Sequence, residues 1–317
     1  MRAEVPCRAC LSGEDLDWLG GRSVSLALAL PTVVETVPGP PAPSGSGWPH
    51  EVWEYLRGEF PHFGPRPPAV RVHSEAPAAS GLSSSTALIV ALMRAYVEAC
   101  APAAQVPTAT LTRWAYRFEF ARFNGGGMDQ VAVIEGGALL LEGRPTGLPL
   151  IRGRTDFPEE WTVLVVDSAT RKDTGDHIAV VRSQVADRDP ALARYLKEAD
   201  RASAQAWAAI GRRDLEGLTL AMDRAHVTMR DRQRMSTPVL EDLRDTAFAA
   251  AGLRLKLSGA GGGGSLVGVC PAVEAEEVAA AVRRAIGGRH PAARVVPTRA
   301  AGPVAGPADR KPQMNGS

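Results

Sequence analysis

The sequence predicts an α+β protein of two domains, with the boundary near residues 150–160. Three features of the pattern predict it, and the length permits it. Stretches of alternating and of helical spacing are interspersed without regular βαβ units. From about Pro190 the pattern turns mainly helical. After a glycine-rich loop, a strand, a helix and a strand close the patterned part. A length of 317 residues suffices for one large or two ordinary domains.

The elements follow in order. The opening residues and "RSVSLALALPTVVETV" read as two strands separated by the polar loop "SGEDLDWLGG". "PGPPAPSGSG" is a loop and "HEVWEYLRGEF" a short amphipathic helix. The strand "AVRVHSEAP" runs into a serine loop and a helix from about Ser84 to Ala99. "LTRWAYRFEFARF" is helical. "GGGMDQVAVIEGGALLLEG" is a glycine turn, a short helix and a strand, and "WTVLVVDSA" is a buried strand by its apolar run. The long stretch "PALARYLKEADRASAQAWAAIGRRDLEGLTLAMDRAHVTMRDRQRM" and "TPVLEDLRDTAFAAAG" carry helical spacing and precede the glycine-rich "KLSGAGGGGSLVGV"; then come the strand "LVGVC", the helix "EAEEVAAAVRRAIGG" and the strand "ARVVPTR". Residues 301–317 lack an apolar period and read as a disordered tail. His226 reads as a packing residue of its helix, and Trp53 and Tyr55 as core or as packing beside a base.

Composition excludes several classes. There are 36 Lys+Arg and 35 Asp+Glu, a net charge of +1, which offers no field for nucleic acid or an acidic membrane. No apolar run reaches the length of a membrane span and no export leader is visible, so a cytoplasmic protein is expected. Cys7 and Cys10 have CxxC spacing without a second pair, which argues for reduced thiols over zinc. The lysines are Lys172, Lys197, Lys256 and Lys311, so any mechanism that needs lysine has few candidates.

"GLSSST", Gly81–Thr86, opens a helix directly after a strand. Free N–H groups and the helix dipole at such a junction favour an anion, and small residues let it approach the backbone. Serine hydroxyls can donate to phosphate oxygens or ligate Mg2+. The loop lacks the GxxxxGK[ST] pattern. The alternative is a capped structural helix.

"PAASGLSSSTA" resembles the second signature, PxxxGLxSSxA, of the GHMP family of small-molecule kinases, and "KLSGAGGGGSLVGV" resembles its third. "CRACLSGEDLDWLGG" is similar to the galactokinase signature GRVNLIGEHTDYNGG at Arg8, Gly13, Glu14, Asp17, Gly20 and Gly21, and "EFARFNGGGMDQ" to the run EFxGxxCGxMDQ. The resemblance implies a domain like ribosomal protein S5 domain 2 over 1–155 and a ferredoxin-like domain over 156–300, with the active site between them. It implies ATP and Mg2+, with Gly81, Leu82, Ser83, Ser84, Ser85, Thr86 and Gly261 around the nucleotide. Ser85 and Glu119 match the metal ligands. Asp129 matches the catalytic aspartate and Arg8 the arginine beside it. Glu14, Asp15, Asp17, Gly127 and Arg171 fall at substrate positions.

The departures bear on the substrate. Asp15 stands where galactokinases carry His, Trp18 replaces a Tyr, and Ser265 stands at a usual Cys. The resemblance therefore implies an ATP-dependent kinase of a sugar or sugar phosphate, acting at the anomeric hydroxyl, as a monomer or homodimer. If the acceptor carries a phosphate, Arg171, Lys172 and His177 are candidates to hold it. The alternatives are a mevalonate-type or amino-alcohol kinase, and a silent sugar sensor on the same fold.

Overall fold

The computed structural model describes residues 1–42, 45–77, 80–170 and 174–304. The first half contains β1 (Arg2–Ser12), α1 (Leu16–Leu19), β2 (Arg22–Thr36), α2 (Trp48–Glu59), β3 (Val70–Ser74), α3 (Ser84–Cys100), α4 (Thr108–Phe123), α5 (Met128–Glu135), β4 (Ala138–Glu142) and β5 (Leu150–Thr155). The second contains β6 (Trp161–Asp167), α6 (Thr174–Ala186), α7 (Pro190–Gly211), α8 (Leu215–Gln233), α9 (Pro238–Ala251), β7 (Lys256–Leu257), β8 (Ser265–Pro271), α10 (Ala275–Gly287) and β9 (Arg294–Thr298).

The first sheet is antiparallel in the order β1-β2-β4-β5. β2 is long enough to serve two partners on one edge: Arg22–Leu26 pair with β4 and Thr32–Thr36 with β3. The gap between them is closed by the chain after β9. Ala29 donates to the Arg299 carbonyl and Ala301 to that of Ala27, and Val304 donates to Ile134. The expected tail boundary is corrected accordingly: 301–304 are held by backbone bonds, because the open stretch of β2 offers unpaired groups that need partners. Residues 305–317 lie outside the described residues.

The second sheet is antiparallel in the order β7-β8-β6-β9. With helices between β6 and β7 and α10 between β8 and β9, this is the βαββαβ order of a ferredoxin-like domain. The apolar run of β6 is continuous because both its faces are covered. Val163 and Val165 join a core shared with α7, α8 and the first sheet, whereas Leu164 and Val166 face α9 and α10. The chain passes from one sheet to the other between Thr155 and Trp161.

α7 ties the halves together. Asp200 accepts from the backbone and the guanidinium of Arg22, Ser203 bonds Ser12, and the Tyr195 hydroxyl donates 2.8 Å to the carbonyl of Glu14. Trp53 is core, stacked on Phe63 and edge-on to Tyr96. His226 is fully buried. Its Nδ1 accepts from the Leu257 backbone and its Nε2 bonds Glu241, so it props β7 as a packing residue. Four elements are not legible in the sequence. α1 and β7 are too short to show a period, the six residues of β5 are half exposed and interrupted by arginines, and α6 follows a polar stretch.

Candidate active site

The three serines at the start of α3 line one cavity of about 640 Å³. Gly81 (φ +80°) and Ser83 (φ +58°) turn the chain so that α3 begins without a side-chain cap. Ser83 Oγ is buried and unpartnered, a cost that a bound hydrogen-bonding group would remove. The glycine-rich segment packs against the back of this loop. Ser265 N–H donates 2.7 Å to the Ser80 carbonyl, and a Cβ on Gly264 would lie 2.7 Å from that same oxygen. Only glycine allows this approach, which explains one member of the glycine run.

Arg8 leaves β1 toward the cavity floor and is 4% exposed. Its Nε and Nη2 donate 2.8 and 2.5 Å to Asp129 Oδ1, and its Nη1 donates 2.7 Å to the Gly81 carbonyl. One guanidinium thus ties the first turn of α5 to the serine loop. Burial alone would lower the proton affinity of Arg8; the neighbouring Asp129, with Cys10 and Glu14, more than reverses this. Both Arg8 donors on Asp129 go to Oδ1, so Oδ2 carries no bond from Arg8.

Glu119, on α4, is buried beside them. Thr86 Oγ1 donates 3.0 Å to one of its oxygens and Gln130 Nε2 donates 2.5 Å to the other. Burial, then the charge of Asp129, push its carboxyl up to about 7, partly offset by those two hydrogen bonds. Two neighbouring carboxylates, one of them poor in solvent, favour a cation between or beside them. The donor set, Glu119 with the exposed hydroxyl of Ser85 on the same cavity, therefore fits a hard cation such as Mg2+. Among the described residues there is no group of three His, Cys, Asp or Glu that could hold a metal ion, and Cys7 and Cys10 are free, buried cysteines.

Further carboxylates line the same cavity from the β1–β2 connection. Glu14 is 3% exposed; its Oε1 accepts 2.5 Å from Lys256 Nζ and 3.3 Å from Gly259 N–H, while its Oε2 is buried without a partner. Asp17 Oδ2 accepts 2.9 Å from Met128 N–H. A Cβ on Gly126 would fall 1.9 Å from that oxygen, so the glycine run before Met128 is what admits the carboxylate. Asp15 is engaged on both oxygens, by His177 Nε2 at 2.7 Å and by Trp18 Nε1 at 3.3 Å.

Of the residues named from the sequence, Arg8, Glu14, Asp15, Asp17, Gly81, Ser83, Ser84, Ser85, Glu119, Asp129 and His177 share the cavity. Four are not on its wall. Leu82 is fully buried and gives its carbonyl to Arg8 N–H; Thr86 spends its hydroxyl on Glu119; Gly127 faces Leu148, Pro149 and Tyr116; Gly261 packs on Met235. These positions support the wall, and Gly259 and Ala260 line it where Gly261 was expected. The sequence places them by adjacency, and adjacent residues point in different directions. Asp15 reaches the cavity but serves α6 and Trp18 first. Arg171 and Lys172 lie outside the described residues. The reading missed Lys256, Ser258 and Gln130. Ser258 Oγ bonds the Gly81 carbonyl and accepts from Cys10 N–H, and the scarcity of lysine was the one available signal for Lys256.

Asp17 makes a pH-dependent prediction. Burial, then the charges of Asp129 and Asp15, raise its carboxyl to about 7, partly offset by Met128 N–H. An unfolded carboxyl titrates near 4. Between roughly pH 4 and 7 the folded protein therefore holds a proton that the unfolded chain has released, and stability falls as pH rises through that window. Asp17→Asn keeps an acceptor oxygen and removes the titration. Its stability advantage over wild type is expected to grow from pH 5 to pH 8, by at most about 3 kcal/mol, and to level off above pH 7. Urea unfolding at both pH values reads this; an advantage independent of pH would refute it.

Residues 49–137 match the GHMP kinases N terminal domain and residues 206–287 the GHMP kinases C terminal domain. No curated protein matches the sequence. Solved structures share the fold over nearly the whole chain. The mevalonate kinase of L. major, crystallised with R-mevalonate, is 19% identical with a TM-score of 0.77, covering 96% of this chain and 97% of its own. The galactokinase of Lactococcus lactis, crystallised with galactose, is 16% identical with a TM-score of 0.75, covering 95% and 94%. A putative homoserine kinase of Listeria monocytogenes is 21% identical with a TM-score of 0.63, covering 95% and 97%. With both domain matches present in order and together spanning more than half of its length, the chain belongs to the GHMP kinase family of phosphotransferases.

Proposed function

We propose that the protein is an ATP-dependent kinase of a sugar, acting at the anomeric hydroxyl. The observation that carries the sugar reading is the set of carboxylates from the β1–β2 connection. Glu14 offers an unpartnered buried oxygen, and Glu14 and Asp17 both line the cavity whose wall Asp129 completes. Carboxylate oxygens accept hydrogen bonds, so they suit an acceptor rich in hydroxyl groups. An acceptor that brings its own carboxylate, as mevalonate and homoserine do, would meet like charge there. Trp48, Leu88, Phe120 and Phe123 supply an apolar part of the wall suited to a base, and the serine loop suits the phosphates.

The chemistry follows from the residues. The acceptor oxygen attacks the γ-phosphorus, the bond from that phosphorus to the bridging oxygen of ATP breaks, and ADP leaves. The acceptor proton passes to Asp129 Oδ2, the oxygen that Arg8 does not engage. Arg8 holds the carboxylate in place and offsets negative charge as the phosphoryl group moves. Ser83 and Ser84 donate to phosphate oxygens. Glu119 and Ser85 would hold Mg2+, which supplies charge neutralisation on the phosphates. Positioning carries most of the rate in such transfers.

The test is ADP release with Mg-ATP over a panel of neutral sugars, sugar phosphates, uronic acids, mevalonate and homoserine. Turnover confined to sugars, with loss of the reducing end as phosphate is incorporated, is the expected result. Turnover of mevalonate or homoserine in preference to every sugar would overturn the sugar reading. Phosphate incorporated with the reducing end intact would overturn the anomeric assignment. ATP binding without turnover of any acceptor would point to a sensor.

A further inference from the structure

Lys256 is fully buried on β7, the short strand that leads into the glycine-rich segment. Its three N–H bonds meet three acceptors: Glu14 Oε1 at 2.5 Å, the Leu257 carbonyl at 2.6 Å and the Cys10 carbonyl at 3.1 Å. A compact ammonium satisfies three convergent acceptors, whereas a planar guanidinium does not fit them, which accounts for a lysine in a chain whose basic residues are nearly all arginine. With all three donors used inside the protein, and with no place on the cavity wall, Lys256 is not available to a phosphate.

The consequence falls on Glu14. Its backbone carbonyl is held by Tyr195, and its Oε1 by Lys256 and Gly259 N–H. The carboxylate therefore has one orientation, in which Oε2 remains as the unpartnered oxygen of a cavity-lining residue. Ser258, two residues on, bonds the Gly81 carbonyl at the foot of the serine loop. The segment 256–259 thus holds the acceptor-side carboxylate through Lys256 and Gly259 and the phosphate loop through Ser258.

We propose that Lys256 is a positioning residue for acceptor recognition: it fixes Glu14 so that Oε2 is presented to an acceptor hydroxyl. The proposal rests on the kinase reading of the cavity but not on the acceptor being a sugar. It is tested with Lys256→Met, Glu14→Gln and the double variant, using whichever acceptor the wild-type enzyme phosphorylates.

Lys256→Met is expected to raise KM for the acceptor by at least about tenfold while KM for ATP stays within about threefold. It also leaves Glu14 buried without its cation, so the single variant is expected to unfold more easily. The double variant removes that charge. Its melting temperature is expected to return toward wild type while its acceptor KM stays high. Recovery of both together would show a merely structural role and overturn the proposal, as would an unchanged acceptor KM in Glu14→Gln. A crystal structure of Lys256→Met gives a reading that needs no acceptor. The Glu14 carboxylate should leave its place while the Arg8–Asp129 pair remains; an unmoved Glu14 would overturn the proposal. A failure of the sugar reading would appear separately, as the identity of the acceptor turned over.

Discussion

Replacing Asp129 by alanine is expected to lower kcat by at least about 10²-fold, the contribution that a positioned proton acceptor typically makes. Nucleotide affinity should change little, because Asp129 belongs to the first turn of α5 while the loop that suits phosphates opens α3. Stability should fall, because the buried Arg8 guanidinium is left without its carboxylate partner, while its dependence on pH should weaken. Burial first, and then the charge of neighbouring Asp129, push up the carboxyls of Asp17 and Glu119. Removing it should bring both groups back toward the ordinary carboxylate range, so the alanine variant should lose less stability than wild type between pH 5 and 7. Steady-state kinetics with a binding isotherm for the nucleotide separates these effects. A variant that keeps kcat within a few-fold of wild type would remove Asp129 from the proton-transfer role.

Arg8→Ala should damage both the reaction and the fold. The guanidinium is nearly fully buried and spans two elements, with two donors on Asp129 and one on the Gly81 carbonyl. Without it, Asp129 faces Asp17 and Glu119 with no compensating cation beside it, and kcat should fall by about 10² or more. Breaking a buried pair costs about 3–5 kcal/mol; Asp129 keeps roughly a third of its side chain in solvent, so about 2–3 kcal/mol is the expected loss. Arg8→Lys should restore part of the stability and little of the rate, since one ammonium cannot bridge Asp129 and Gly81 with the geometry of the fork. Denaturant midpoints and kcat measured on both variants decide this. Equal rates for Arg8→Lys and wild type would reduce Arg8 to a charge without geometric work.

Much of the site was legible because short segments carry it whole. The serine loop, the GEDLD acids and the MDQ turn each need residues of given type within a few positions, since a helix start or a tight turn places its own neighbours. The ferredoxin-like domain was implied by the family resemblance, whereas β6, β8, β9 and α10 were legible one by one, because period-two and period-3.6 spacings are local. Elements without such spacing, β7 at two residues and α1 at four, were not.

What the sequence by itself determined, then, was the fold class, the family resemblance and the residues that can do chemistry, because composition, period and motif spacing are written along the chain. Tertiary structure decided how those residues divide the work. It turned Leu82, Thr86, Gly127 and Gly261 off the cavity wall, engaged both oxygens of Asp15 with His177 and Trp18, and brought Lys256 across 242 positions of chain to one oxygen of Glu14. The reason is physical: the direction of a side chain and the identity of its distant partner are set by packing between elements, and no local spacing encodes which buried charge will find which cation.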